Sequence, residues 1–428
     1  MNAISGWRGL ASYGLFGFPL ALVALPIYVY LPQFYSQRFG LSLAGIGSVL
    51  LLMRLVDAML DPLIGIRIDG GSGGDSGGAH YVHPLLLALP LLMLGFIGLF
   101  HPPGLAAAAP LLWFGAVSLV VYVGFSLATI VHQSWGAALT RAVGQRARVT
   151  AARESFGLIG VIVAAALPGT LGLGALTWVF ALSLLLGAAV LLRLAPRPAG
   201  EALTAPAAAL HSASPSPPHS LWAPLRNRRF RWLFAVFVVN GIAAAIPATL
   251  FLFFAEDRLH LGRYAGLFLV LYFAAAALSM PLWVTAARRL GEARAWLPGM
   301  LLAIASFAWA YTLDAGQLAA FGAICIASGA ALGADLALPP ALLNAVIANG
   351  GDGGRREGAY FGWWNWATKM NLALAAGIAL PLLQLLGYRS GGTDPAGLHA
   401  LSLAYAVLPC GLKLIAAALL WRAPLRNI

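Results

Sequence analysis

Ala205-Pro-Ala-Ala-Ala-Leu-His-Ser-Ala-Ser-Pro-Ser-Pro-Pro218 lies near the middle of a 428-residue chain and cannot pack a core. Its prolines break helices, and Ala and Ser bring little apolar area to bury, so the stretch reads as a cytoplasmic linker. With its flanks it runs over 195–228. On both sides of it, apolar runs recur at about the 20-residue length that crosses a bilayer core. Six precede it, at 11–34, 43–66, 84–101, 109–133, 150–171 and 174–194. Six follow, at 230–254, 262–286, 296–313, 318–343, 359–387 and 398–421. The chain therefore divides into a six-span half at 1–194, the linker, and a second six-span half at 229–428.

Composition points the same way. Apolar residues make up 61% of the chain and charged residues 9%, with a mean hydropathy of +0.84. A water-soluble chain needs far more charge to cover its surface. A soluble enzyme, a disordered chain and a disulfide scaffold are excluded, and an integral all-α membrane protein is expected. The net charge of +12 does not signal nucleic acid, because the arginines sit in short loops between apolar runs. Cys325 and Cys410 both lie inside such runs, which leaves no disulfide framework or metal cluster and implies no cofactor beyond a coupling ion. With both termini cytoplasmic, 19 loop arginines fall inside and 4 outside, a strong positive-inside bias. The first run is too long for a secretory signal. The Arg-rich, Lys-poor composition points to a bacterial inner membrane. Two sets of six spans around a long central loop is the arrangement of secondary transporters of the major facilitator type. No Walker motif, Gly-x-Ser-x-Gly or His-Glu-x-x-His is present, so neither ATP-driven transport nor enzyme chemistry is expected.

Ionisable groups inside a bilayer are costly and mark function by default. Arg54-Leu-Val-Asp57-Ala-Met-Leu-Asp61-Pro62 in the second span places Arg54, Asp57 and Asp61 on one helical face. Two carboxylates one turn apart repel, so one is protonated, paired with Arg54 or bridged by a cation. A structural Arg–Asp pair is the competing reading. Lys369 sits in the middle of the eleventh span, one turn after Asn365 and beside Trp366, whose ring can stack on a sugar or a cation. The neighbouring Trp363 and Trp364 suit an interfacial aromatic belt equally well. In the tenth span, Gly329 and Gly333 permit close helix approach, and Pro339-Pro340 are expected to break the helix. Asp335 there could answer Lys369, with an interfacial helix-end acid as the alternative. His132 and Gln133 in the fourth span are polar enough to line a cavity, although a lone His is more often hydrogen-bonded in place.

Gly40-Leu-Ser-Leu-Ala-Gly-Ile-Gly47, the Arg54–Gly65 stretch, Arg146-x-Arg148 with Ala152-Arg153-Glu154-Ser-Phe-Gly157, and Arg355-Arg356-Glu357-Gly358-Ala-Tyr-Phe-Gly362 together resemble the glycoside–pentoside–hexuronide:cation symporters, over roughly residues 10–420. The resemblance implies the major facilitator fold with Asp57 and Asp61 as the coupling-cation site, binding H⁺, or Na⁺ as metal ligands. It also implies a role for Lys369 near the cation and the sugar. Melibiose-permease-like members hold sugar with acids on the first and fourth helices, where this chain has Ala21 and Thr129. Thr129 keeps one hydroxyl for the cation site. The loop after the second helix keeps Arg67-Ile-Asp69 but continues in glycine rather than basic residues, so gating through it does not carry over.

The expected function is cation-coupled symport of a sugar, glycoside or hexuronide by a monomer surrounded by lipid. The proposed substrate-binding groups are Arg54, Lys369, Asn365, Trp366, His132, Gln133 and Asp335. Two acids facing two bases favour H⁺ over Na⁺, because a proton needs no coordination shell. An amphiphile such as a lysophospholipid is the rival substrate, and a membrane sensor without transport the rival class.

Overall fold

The computed structural model describes residues 6–41, 43–70, 79–139, 145–197, 221–353, 356–388 and 394–425. The glycine-rich insert at 71–78, most of the linker and four of the loop arginines (Arg141, Arg355, Arg389 and Arg426) lie outside them. The predicted runs are helical. The first span comprises α1 (Trp7–Gly14), α2 (Gly17–Val29) and α3 (Leu31–Phe39). The sequence of this span holds Pro19, Pro26 and Pro32, expected to interrupt it; Pro19 and Pro32 fall in the first turns of α2 and α3, where a missing N–H costs no helical bond, whereas Pro26 lies inside α2 and does not break it. The second to fourth spans are α4 (Leu43–Gly70), α5 (Ala79–Phe100) and α6 (Pro110–Ala138). The fifth and sixth run as α7 (Gln145–Arg193), broken at Gly172, whose φ of +81° only glycine adopts without strain.

After a short α8 (Ala223–Arg226), the second half holds α9 (Arg228–Phe253), α10 (Ala265–Leu290), α11 (Glu292–Tyr311), α12 (Leu318–Asn349) and α13 (Glu357–Leu385). The twelfth span is α14 (Pro395–Ser402), a π-helical turn at Leu403–Val407, and α15 (Leu408–Arg422). Asn227 caps α9 by accepting from the N–H groups of Arg229 and Phe230, and Asp394 caps α14 through Gly397 N–H. Among the described residues, eight helices are long and apolar enough to cross a membrane. The first, second, fifth and eleventh spans are not among them; the second carries Asp57 and Asp61, and the eleventh Lys369.

One expectation is overturned. Pro339-Pro340 do not break α12, which continues to Asn349. Residues 337–347 are buried, and the surrounding packing holds the turn that the two missing N–H groups would otherwise loosen. The close approach expected at Gly329 and Gly333 is present: a Cβ at either would collide with α10, at the Tyr272 carbonyl or the Ser279 hydroxyl.

The described residues form two compact units. In the first (Met1–Gln145, Ala152–Pro224 and Ile347–Trp366), α4, α5 and α6 pack on one another. It includes the start of α13, because Gly65, Gly358 and Gly362 let α4 and α13 touch through their backbones. In the second (Arg146–Ala151, Leu225–Val346 and Ala367–Ile428), α15 packs on α9 and α11, and α10 on α11.

Candidate functional site

The two faces of α4 are chemically opposite. Leu55, Met59 and Leu63, spaced four residues apart, are exposed as a lipid-facing stripe requires. Asp57, Asp61 and Asp69, on the same four-residue spacing with Gly65 between, are buried. Asp57 is 3% exposed and accepts a hydrogen bond of 2.7 Å from the Ser126 hydroxyl on α6. Asp61 is fully buried, and its backbone carbonyl lies 2.6 Å from where a Cβ would stand on Gly362. Arg54 is half-buried one turn before Asp57.

Ser126 is the residue that reading the sequence missed. It stands one turn before Thr129 on the same face of α6, and that spacing was the available signal. The Thr129 hydroxyl is buried with no hydrogen-bond partner among the described residues, so it remains an unused oxygen one turn from Ser126. The Asp57 carboxylate and the Ser126 hydroxyl meet between α4 and α6, with Asp61 and Thr129 each one turn further along their own helix. No group of three or more His, Cys, Asp or Glu side chains arranged for a metal ion occurs among the described residues.

Asp69, at the last turn of α4, caps α13. Its two oxygens accept the Gly358 and Ala359 N–H groups, each at 2.7 Å. These donors have no intrahelical partner, and the helix dipole favours an anion there. The contact thus belongs to Asp69 itself and does not need the basic run that the following loop lacks.

Asn365 and Gln133, both expected to contact substrate, are joined by a 2.9 Å hydrogen bond from the Asn365 amide to Gln133 Oε1. Trp366 lies edge-on to Trp363 at 5.5 Å between ring centroids, and Trp363 donates to the Leu221 carbonyl at 2.8 Å. Trp363 therefore anchors the end of the linker. Lys369 follows Asn365 by one turn, is partly buried and belongs to the second unit.

Two expected substrate groups sit elsewhere. His132 is 1% exposed and turned into the first span, where Nε2 donates to the Tyr13 carbonyl at 2.9 Å and the rings lie 4.5 Å apart. The Tyr13 hydroxyl returns a bond to the His132 carbonyl at 2.9 Å. This is the hydrogen-bonded-in-place alternative. Asp335 is held by Lys413 of α15 at 2.8 Å, together with Asn240 and Trp296, so its carboxylate answers Lys413 and is no interfacial helix-end acid.

Residues 12–427 match the family described as MFS/sugar transport protein. The uncharacterized symporter YnaJ of Bacillus subtilis (strain 168) is 30% identical over 152 residues, 35% of this chain and 31% of that protein. The isoprimeverose transporter of Lactiplantibacillus pentosus is 27% identical over 157 residues, 37% of this chain and 32% of that protein. Each alignment thus spans less than a third of the relative's length. Among solved structures, the Escherichia coli fucose:proton symporter FucP superposes with a TM-score of 0.68 at 14% identity, covering 97% of this chain and 99% of that one. A bacterial homologue of the iron transporter ferroportin, in an outward-facing state, also gives 0.68 at 15% identity over 96% and 99% of the two chains. At such identities the likeness shows the fold, whereas the match at 12–427 takes in nearly every residue discussed above. The chain belongs to the family of MFS/sugar transport proteins, in keeping with its resemblance to the glycoside–pentoside–hexuronide:cation symporters.

Proposed function

We propose that this chain is a proton-coupled symporter of sugars or hexuronides that works by alternating access, with Asp57 and Asp61 as the coupling site. The observation that carries the reading is the buried Asp57 carboxylate bonded to Ser126, with fully buried Asp61 one turn on. Such acids in a membrane helix are costly unless they bind something. In the sequence, Asp57 and Asp61 are set against the in-span bases Arg54 and Lys369, so a bound Na⁺ would need both acids ionised. A proton needs one acid and no shell of oxygens. That balance supports H⁺.

The Asn365–Gln133 pair and Trp366 form the substrate side of the reading, and Lys369 joins it from its in-span position in the sequence. Amides recognise hydroxyl patterns, an indole face packs on a pyranose ring, and the lysine favours a carboxylate-bearing sugar. The Arg-rich loops support cytoplasmic termini and an inner-membrane location. The test is uptake into proteoliposomes of a radiolabelled glucuronide, a neutral pentoside and a lysophospholipid, each with Na⁺ replaced by choline and with imposed pH jumps. The reading expects uptake of a sugar-class solute driven by the proton gradient without Na⁺. Uptake that collapses on removing Na⁺ and ignores pH, or transport of the lysolipid alone, refutes it.

A further inference from the structure

One face of α6 carries a row of polar side chains that reaches well beyond the coupling acids. Ser118, Tyr122, Ser126, Thr129 and Gln133 recur every three or four residues, which at 100° per residue gathers them within an arc of about 80°. That arc faces α4: a Cβ on Gly115, one turn before Ser118, would stand 3.2 Å from Val49 Cγ1, and Ser126 meets Asp57. The opposite side faces α5, where Gly124 packs on Leu91 and Leu92. Ser118 and Tyr122 thus extend the row from Asp57 toward the Pro110 end of α6, about 12 Å for eight residues at 1.5 Å each. In the orientation that the loop arginines support, that end is the outer one.

Hydroxyls that serve packing alone satisfy themselves on their own helix. Ser306, Ser328, Ser402 and Thr249 each donate to the carbonyl four residues back. Ser118 does not: it is fully buried, and its oxygen has no hydrogen-bond partner among the described residues. The Thr129 oxygen is in the same condition, and Ser126 gives its hydrogen to Asp57. A buried hydroxyl left unbonded is costly, and it is kept where something else uses the oxygen. Ser118, Tyr122 and Ser126 are 0%, 4% and 2% exposed, which closes the row to a sugar but not to a proton. The charged groups that α4 sets along it are Arg54, Asp57 and Asp61. With both acids ionised they sum to minus one, so their field draws a proton inward. Tyr35 of α3, whose ring lies 4.7 Å from that of Phe114, is the titratable group beside the outer end of the row.

We infer that Ser118 and Tyr122 carry the proton between the outer side and the Asp57 carboxylate, with Ser126 as the last member of the row. Side chains one turn apart stand about 5–6 Å from each other at Cβ, a gap that one bridging water closes. Each hydroxyl oxygen accepts a proton from the water on its outer side and gives its own hydrogen to the water on its inner side. No bond is left broken and no charge stays behind. Ser126 passes its hydrogen to Asp57, regains one from the Tyr122 side, and leaves the acid neutral. Release outward reverses the same steps. The inference rests on the symport reading, and the experiment keeps the two failures apart.

The double variant Ser118→Ala/Tyr122→Phe removes two oxygens and little volume. It is tested in proteoliposomes with the radiolabelled glucuronide or pentoside that wild type takes up. Counterflow at equal pH is expected to run at the wild-type rate, because exchange returns the carrier loaded and Asp57 keeps its proton. The initial rate of uptake after an acid jump outside is expected to fall about tenfold, the factor that about 1.4 kcal/mol on a barrier sets. Ser118→Thr keeps the hydroxyl and is expected to match wild type, whereas Ser118→Ala is slow. Wild-type uptake by the double variant overturns the inference and leaves the symport reading standing. Loss of counterflow together with uptake does the same, because it assigns the row to packing, and so does a Ser118→Thr rate as low as that of Ser118→Ala. Should the double variant not fold, Tyr122→Phe decides alone by the same two rates. A wild-type protein whose uptake ignores the acid jump defeats the symport reading, and the inference falls with it.

Discussion

Ser126 donates its hydroxyl hydrogen to the Asp57 carboxylate across the α4–α6 contact at 2.7 Å, and both side chains are buried. A hydrogen bond to a charged group is worth about 1.5–3 kcal/mol, enough to fix which way the carboxylate points. The oriented acid is then presented on the face of α4 opposite its leucine stripe. Ser126→Ala is expected to reduce gradient-driven accumulation severalfold while counterflow continues, and Ser126→Thr to retain most of it. Equal accumulation by Ser126→Ala and wild type would detach Ser126 from coupling.

Asp69 gives a second prediction. Asp69→Ala removes two hydrogen bonds to the start of α13, each worth about 0.5–1.5 kcal/mol net. The detergent-solubilised variant is expected to melt at lower temperature, and a cysteine introduced at the buried Ala359 to react faster with a water-soluble thiol reagent in the Asp69→Ala background. Unchanged melting and labelling would mean that the cap holds nothing in place.

Gly362 faces the Asp61 backbone at a distance that leaves no room for a methyl group. Gly362→Ala must push α13 away from α4 at Asp61 and Pro62, since backbone cannot yield as a flexible side chain does. Loss of both counterflow and accumulation is expected, because the clash disturbs the packing of two helices and not one side chain. Normal transport by Gly362→Ala would show that the two helices separate at no cost.

The amide pair is tested by a double-mutant cycle. Gln133→Ala and Asn365→Ala are each expected to raise the KM for solute, and together to cost clearly less than the sum, because either change already breaks their shared bond. Strictly additive effects would place the two residues in independent roles.

The helices were legible because spanning length and loop arginines are composition signals, read without knowing any contact. The four-residue spacing of Asp57 and Asp61 likewise fixed their common face. What spacing does not reveal is the partner on another helix. Ser126 looked like one small polar residue among several in the fourth span, and only packing shows that it meets Asp57. For His132 the sequence suggests a hydrogen-bonded residue but not its partner, which packing shows to be Tyr13. Asp335 had two in-span lysines to choose between, and the sequence distance to Lys369 is no guide when α15 brings Lys413 to it. Pro339-Pro340 read as a stop because local propensity carries no information about the buried surroundings that hold α12 together.

The most direct test of the central claim is the accumulation ratio of solute in proteoliposomes containing Asp57→Asn or Asp61→Asn, measured beside counterflow in the same vesicles. Asparagine keeps the size and most hydrogen bonds of the acid but cannot exchange a proton or neutralise a cation. The account predicts that both variants exchange solute and that neither accumulates it above the outside concentration. Accumulation by both variants at the wild-type ratio would contradict it and move the coupling site elsewhere.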